Sequence, residues 1–375
     1  MRVQAYLALE NGTVVKGLAF GAVDRQAAGE VVFHTAMSGY EEILTDPSYC
    51  GQIVIFTYPH IGNYGITLED GESERIQLEG IVVHECSRTC SNWRARLSLS
   101  EYLAQQGVIG IEGVDTRMLV RMIREKGALR GILSAQATPE ELVERARQLP
   151  LMEGLDLTEH VTTPTPYWWN ESYSAEDAPV VAVIDYGVKR NILRSLARRG
   201  CRVCIFPAQT PAEEVLSVEP RGIVLSNGPG DPAAIRYAVP QIRALLKRAI
   251  PMLGICLGHQ LLGLVFGART YKLKFGHHGA NHPVRNLRTG AVEITSQNHG
   301  FAVDIATLPP EIEVTHINLN DGTLEGMRHR ELPVMTVQYH PEAAPGPHDA
   351  HYIFDEFVGW VRSGQPVELG VDVAP

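Results

Sequence analysis

The sequence predicts an α/β protein: a carboxyl-terminal, mainly parallel sheet flanked by helices, preceded by a β-rich α+β amino-terminal domain. Three observations predict it. From Pro179 onward short apolar runs alternate with amphipathic stretches, the pattern of strands covered by helices on both faces. Up to Leu149 the apolar spacing is mostly that of strands. Between the two lies TTPTPYWWNESYSAEDAP, which follows neither period and reads as a linker. A chain of 375 residues also exceeds one ordinary core. The expected division is therefore a first domain over 1–149, a linker over 150–178, a second domain over 179–365 and a tail over 366–375.

In chain order, Glu30 to Phe33 and Gln52 to Thr57 read as strands, and Thr116 to Lys126 as a helix closed by Gly127. In the second domain PVVAVIDYG, CRVCIF, GIVLS and PMLGI read as strands. KRNILRSLARRG, PAEEVLSV and IRYAVPQIRALLKRAI read as the helices between them, and another helix follows PMLGI. Ligands on such a sheet collect at the carboxyl ends of the strands. After Gly267 the pattern shifts to shorter β runs, with a turn at Asp321 and Gly322 and a last helix from about Asp349 to Arg362.

The balance of 33 basic against 43 acidic residues gives a net charge of −10, which repels nucleic acid and anionic membrane over most of the surface. Lys189, Arg190, Arg194, Arg198, Arg199 and Arg202 form a local exception that could dock a partner but reads rather as a solvated helix face. No adequate apolar run precedes Glu10, and the longest one, Pro251 to Ala268, is broken by His259 and Gln260, so no export or membrane-spanning segment is expected. Six cysteines are sparse for this length; a reducing cytoplasm with free thiols is the expectation.

The sharpest chemical signal is Gly254-Ile255-Cys256-Leu257-Gly258-His259-Gln260, where a strand ends and a helix begins. It reads as a nucleophile elbow with sulfur in place of the hydroxyl: the turn strains the nucleophile's backbone, and glycines two residues either side remove Cβ atoms that would clash. The helix start aims backbone N–H groups at the sulfur and stabilises a thiolate. The Leu257 N–H would supply half of an oxyanion hole. A buried cysteine between packing glycines would look similar, so the reading needs a base. Tyr339-His340-Pro341-Glu342 offers one after the strand run VMTVQ, with Pro341 forbidding helical continuation and Glu342 able to hold one imidazole nitrogen. Ser226-Asn227-Gly228-Pro229-Gly230-Asp231-Pro232 also follows a strand, and Gly228 or Gly230 could give the second oxyanion donor. Gly228, Gly230 and Ala233 match a dinucleotide fingerprint as well, but no Asp or Glu occurs between Asp231 and Glu293 to bind a ribose.

GICLGHQ, SNGPGDP and YHPE, in this order and fold pattern, resemble the class I (triad) glutamine amidotransferase family. YEEILTDPSY (Tyr40 to Tyr49), YPHIGNYG (Tyr58 to Gly65) and GVDTRMLVRMIREKGALRG (Gly113 to Gly131) resemble the amino-terminal domain of the glutamine-hydrolysing small subunits of carbamoyl-phosphate synthase. KFGHHGANHPV (Lys274 to Val284) and SQNHGFAVD (Ser296 to Asp304) continue the match, which spans roughly residues 1 to 362; Ala280 departs from the more usual Gly. The resemblance implies Cys256 as nucleophile, His340 as acid and base, and Glu342 as its orienter. It implies a glutamine pocket of Ser48, Gly228, Gly230, Leu257, Gln260, Asn298, Gly300 and Phe301, with no metal. It further implies a large-subunit partner that consumes MgATP and bicarbonate, this chain delivering ammonia to it for arginine and pyrimidine biosynthesis. The chain itself needs no cofactor on this reading, and it contains no phosphate loop of the G-x-x-x-x-G-K-[ST] type.

Other signals carry less. Cys201 and Cys204 lie in an apolar strand run without a second pair and read as core thiols, and Cys86 with Cys90 reads as inert. His277, His278 and His282 read as structural loop histidines. An amidotransferase making another product, such as GMP or anthranilate, is disfavoured by the first domain, and a silent scaffold would not retain both Cys256 and His340. A stand-alone hydrolase is separated by whether a large partner co-purifies.

Overall fold

The computed structural model of the chain describes residues 3–170 and 177–364; the tail over 366–375 and part of the linker lie outside the described residues. The chain divides into two compact units, one formed by Met1–Leu155 with Leu273–Gly279, the other by Asp156–Lys272 with Ala280–Pro375.

The first unit is built on a closed barrel. Around it run Gln4–Leu9, Val14–Gly21, Ile109–Glu112, Gly80–Val82, Gln52–Phe56, Gln26–His34 and Leu129–Ser134 in spatial order, the last pairing back to the first. Closure removes the exposed edges that an open sheet would leave. The helix Thr116–Lys126 begins where the Asp115 side chain accepts the Met118 N–H at 2.9 Å, and ends at Gly127, whose φ is 99°. Its Leu119 and Ile123, one turn apart, enter the barrel core with Ile53, Ile55 and Ile111.

The second unit is a sheet of ten strands among the described residues. Its five parallel strands run in the order Arg202–Pro207, Val180–Asp185, Gly222–Leu225, Met252–Ile255, Val334–Val337. Beyond them the pairing turns antiparallel through Leu324–His329 and Ile312–Asn318 to Thr270–Asn286. Helices cover both faces. Ile242 and Leu245 of Ala238–Leu246, with Leu257, Leu261 and Leu262 of Leu257–Val265, pack on one side. Ile192, Leu193 and Leu196 of Arg190–Arg198, with Phe354, Phe357 and Val361 of Tyr352–Ser363, pack on the other. No helix among the described residues is long and apolar enough to cross a membrane.

Three expectations are corrected. The region after Gly267 contains long strands, Thr270–Asn286 of 17 residues and Val292–Val303 of 12, not short β runs. His277, His278 and His282 therefore sit in a strand rather than a loop; Gly276, Gly279 and Pro283 break the alternation that would have revealed it. The basic cluster is not simply a solvated face: Arg199 pairs with Asp355, Arg202 lies 4.9 Å over the Trp168 ring, and Lys189 is buried. Residues at the linker's described end are also tied down, since the Thr163 N–H donates to Asp185 at 2.7 Å and Tyr167–Trp168 pairs with Arg202–Pro207.

Candidate active site

Parallel strands deliver their carboxyl ends to one edge of the sheet, and four of them deliver chemistry there. Met252–Ile255 lies between Gly222–Leu225 and Val334–Val337, with Ile255 level with Val337. Cys256, the 226–231 loop and the residues after Val337 consequently emerge side by side, and the Cys256 N–H donates to the Val337 carbonyl at 2.9 Å.

Cys256 has φ 53° and ψ −101°, a left-handed conformation that costs a non-glycine residue of order 1–3 kcal/mol, and it caps the helix Leu257–Val265. The flanking glycines allow this. A Cβ on Gly254 would come within 2.8 Å of the Gly258 carbonyl carbon, and one on Gly258 within 2.2 Å of the Leu225 carbonyl oxygen. The cysteine is 1% exposed, and its Sγ donates to the Asn298 carbonyl at 3.5 Å.

His340 and Glu342 are both buried, with Nδ1 of the imidazole 2.6 Å from Glu342 Oε1. That bond uses Nδ1 and leaves Nε2 without a hydrogen-bond partner, while the ring interacts with the Cys256 thiol. Catalytic contacts of this kind are commonly loose before substrate binds. Burial works against a charged imidazole, but the Glu342 carboxylate and the Cys256 thiol outweigh it, so the His340 pKa rises well above the ordinary histidine value. Burial likewise penalises the Glu342 carboxylate, yet Lys189 and His340 together hold its pKa below the usual range.

Lys189 was not among the sequence candidates. Its Nζ lies 3.0 Å from Glu342 Oε1 and donates to the Ala343 carbonyl at 2.7 Å, with the side chain 2% exposed. The turn before it is held by Asp185, which accepts the Gly187 and Val188 N–H groups at 2.9 and 2.7 Å, and by Asn227, which accepts the Lys189 N–H at 3.1 Å. A signal was present in the sequence: a lysine at a helix start opposes the macrodipole, which is odd for a merely solvated face.

The remaining predicted residues divide by unit. Gly228 lies against the elbow, since a Cβ there would meet Leu257 Cδ2 at 2.8 Å and the Tyr186 carbonyl oxygen at 2.2 Å. Gly230 has φ 89°, and Asp231 fixes the turn after it by accepting the Ala233 N–H at 2.9 Å. Gln260 donates to the Phe301 carbonyl at 2.8 Å and to Gln338 at 3.0 Å. Asn298, Gly300 and Phe301 follow one another on Val292–Val303. Ser48 belongs to the first unit, in the short 3₁₀ turn Pro47–Tyr49, its N–H donating to Asp46 at 2.9 Å.

Comparison with known proteins gives two family matches: glutamine amidotransferase class-I over residues 182–360, and the carbamoyl-phosphate synthase small chain, CPSase domain, over 7–133. The chain is 55% identical to the carbamoyl phosphate synthase small chain of Chlorobaculum tepidum, covering 95% of this chain and 97% of the relative. The small chain of a Synechococcus species is 52% identical over 98% of this chain and 96% of its own length. That of Aquifex aeolicus is 50% identical over 96% and 99%.

Proposed function

The chain belongs to the family of carbamoyl-phosphate synthase small chains and is a glutamine amidotransferase, and from that premise we propose how its residues perform the hydrolysis. The Cys256 thiolate, paired with the His340 imidazolium that carries the proton, attacks the side-chain amide carbon of glutamine. The Leu257 and Gly228 N–H groups hold the oxyanion. The His340 imidazolium protonates the departing nitrogen, ammonia leaves, and a γ-glutamyl thioester remains on Cys256. His340, now neutral, takes a proton from water, whose oxygen attacks the thioester carbon and releases glutamate and the Cys256 sulfur. Glu342 orients the imidazole and favours its charged form; Lys189 keeps Glu342 ionised. Gly228, Gly230, Leu257, Gln260, Asn298, Gly300 and Phe301 are the proposed glutamine-binding residues of the second unit.

The observation that carries this reading is the 2.6 Å bond from His340 Nδ1 to Glu342, which leaves the other ring nitrogen available to the cysteine. The chemistry draws on side chains and backbone alone. MgATP and bicarbonate belong to the large-subunit partner, which receives the ammonia and makes carbamoyl phosphate for arginine and pyrimidine biosynthesis. Ammonia released to water at neutral pH becomes ammonium and loses its nucleophilic lone pair, which favours direct delivery. Unpaired thiols, Cys256 among them, suit a cytoplasmic setting.

The test is glutamate release by the full chain and by Cys256→Ala, each with and without a large subunit, MgATP and bicarbonate. We expect the substitution to abolish release and the partner to stimulate the wild-type chain. Release that survives Cys256→Ala would overturn the mechanism. Cys256-dependent release indifferent to the partner would overturn the coupling.

A further inference from the structure

We propose that Lys272 binds the α-carboxylate of glutamine and is a specificity-determining residue of the Cys256 site; this rests on the glutamine reading above. Lys272 stands on Thr270–Asn286, and its Nζ lies 4.8 Å from the centroid of the Phe301 ring. A Cβ on Gly300 would come within 3.0 Å of that Nζ and 3.9 Å of Cε, so the ammonium occupies space that only glycine leaves open. A cation over an aromatic face is held in place, which limits the side-chain entropy that binding must still remove.

The position fits the length of the substrate. The Asn298 carbonyl, 3.5 Å from Cys256 Sγ, marks the reacting end. Gly300 lies two residues further along the same strand, about 7 Å on at strand rise. In extended glutamine four carbon–carbon bonds separate the amide carbon from the carboxylate carbon, roughly 5 Å. Adding an ammonium–carboxylate contact of about 2.8 Å covers that distance. Gln260, on the helix headed by Cys256, donates to the Phe301 carbonyl at 2.8 Å and thus ties the elbow to the residues under the ammonium. The need is chemical: a carboxylate leaving water requires a charged or hydrogen-bonding partner, and this chain carries a net charge of −10.

The discriminating experiment compares glutamine with 4-aminobutanamide, which is glutamine without its α-carboxylate, in the full chain assembled with its large subunit. Lys272→Met should raise KM for glutamine about 10- to 100-fold, the range for losing a charge-assisted contact, with kcat little changed. It should leave kcat/KM for 4-aminobutanamide unchanged, so the preference for glutamine falls by the same factor. Lys272→Arg should recover part of the loss. An unchanged KM for glutamine, or equal losses on both substrates, would overturn the assignment, the second because a lysine that only covers Phe301 affects both alike. A wild-type chain without Cys256-dependent glutamine hydrolysis would instead overturn the parent reading.

Discussion

At the scale of single residues, the site is three ionisable groups beside one sulfur, each setting the next. Glu342 raises the His340 pKa and Lys189 lowers that of Glu342, so the ordering runs outward from the chemistry to a buried cation. Glu342→Gln removes the anion that raises His340. The imidazolium is then lost at lower pH, and the alkaline limb of kcat/KM should move to lower pH, with kcat/KM near neutrality falling about 10-fold or more, part of the ~10²–10⁴ that positioned acid–base catalysis supplies. A pH–rate profile of the variant checks this, and an unmoved alkaline limb would show that Glu342 does not set the charge of His340. Cys256, His340 and Glu342 were legible in sequence because each follows a strand and carries chemistry in its own letters. Lys189 was not, because its letter joined a run of arginines and the one local hint, a lysine set against the macrodipole at a helix start, does not by itself say that it turns inward.

At the scale of elements, the elbow works because two glycines let strand and helix close on each other. The Cβ of Gly258→Ala would meet a backbone oxygen at 2.2 Å, which no side-chain rotation relieves. We expect a cost of ~1–3 kcal/mol from overpacking, read as a melting temperature several degrees lower, together with loss of glutaminase activity. An alanine variant that melts and turns over like the wild type would show that the close approach is unimportant. The alternating strands and helices of the second unit were readable because five strands are buried on both faces and stand as plain apolar runs. The strand Thr270–Asn286 was not, since Gly276, Gly279 and Pro283 read locally as loop and only pairing with neighbouring strands fixes them as extended. Likewise Tyr167–Trp168 is too short to show a period.

At the scale of the whole molecule, the chain joins a closed barrel unit to a doubly covered sheet unit, and family membership follows from both together. The barrel was legible only as β-rich, because closure depends on which strands meet, and no single strand states that. The second unit carries the sulfur, the imidazole and both buried charges, so the covalent step is assigned to it alone. The most direct test of that assignment is intact-protein and peptide mass spectrometry of the full chain with its large subunit, quenched in acid during glutamine turnover. The account predicts a glutamyl adduct on Cys256 that is absent from Cys256→Ala. Steady turnover of glutamine by the wild-type enzyme with the adduct on another residue would contradict it.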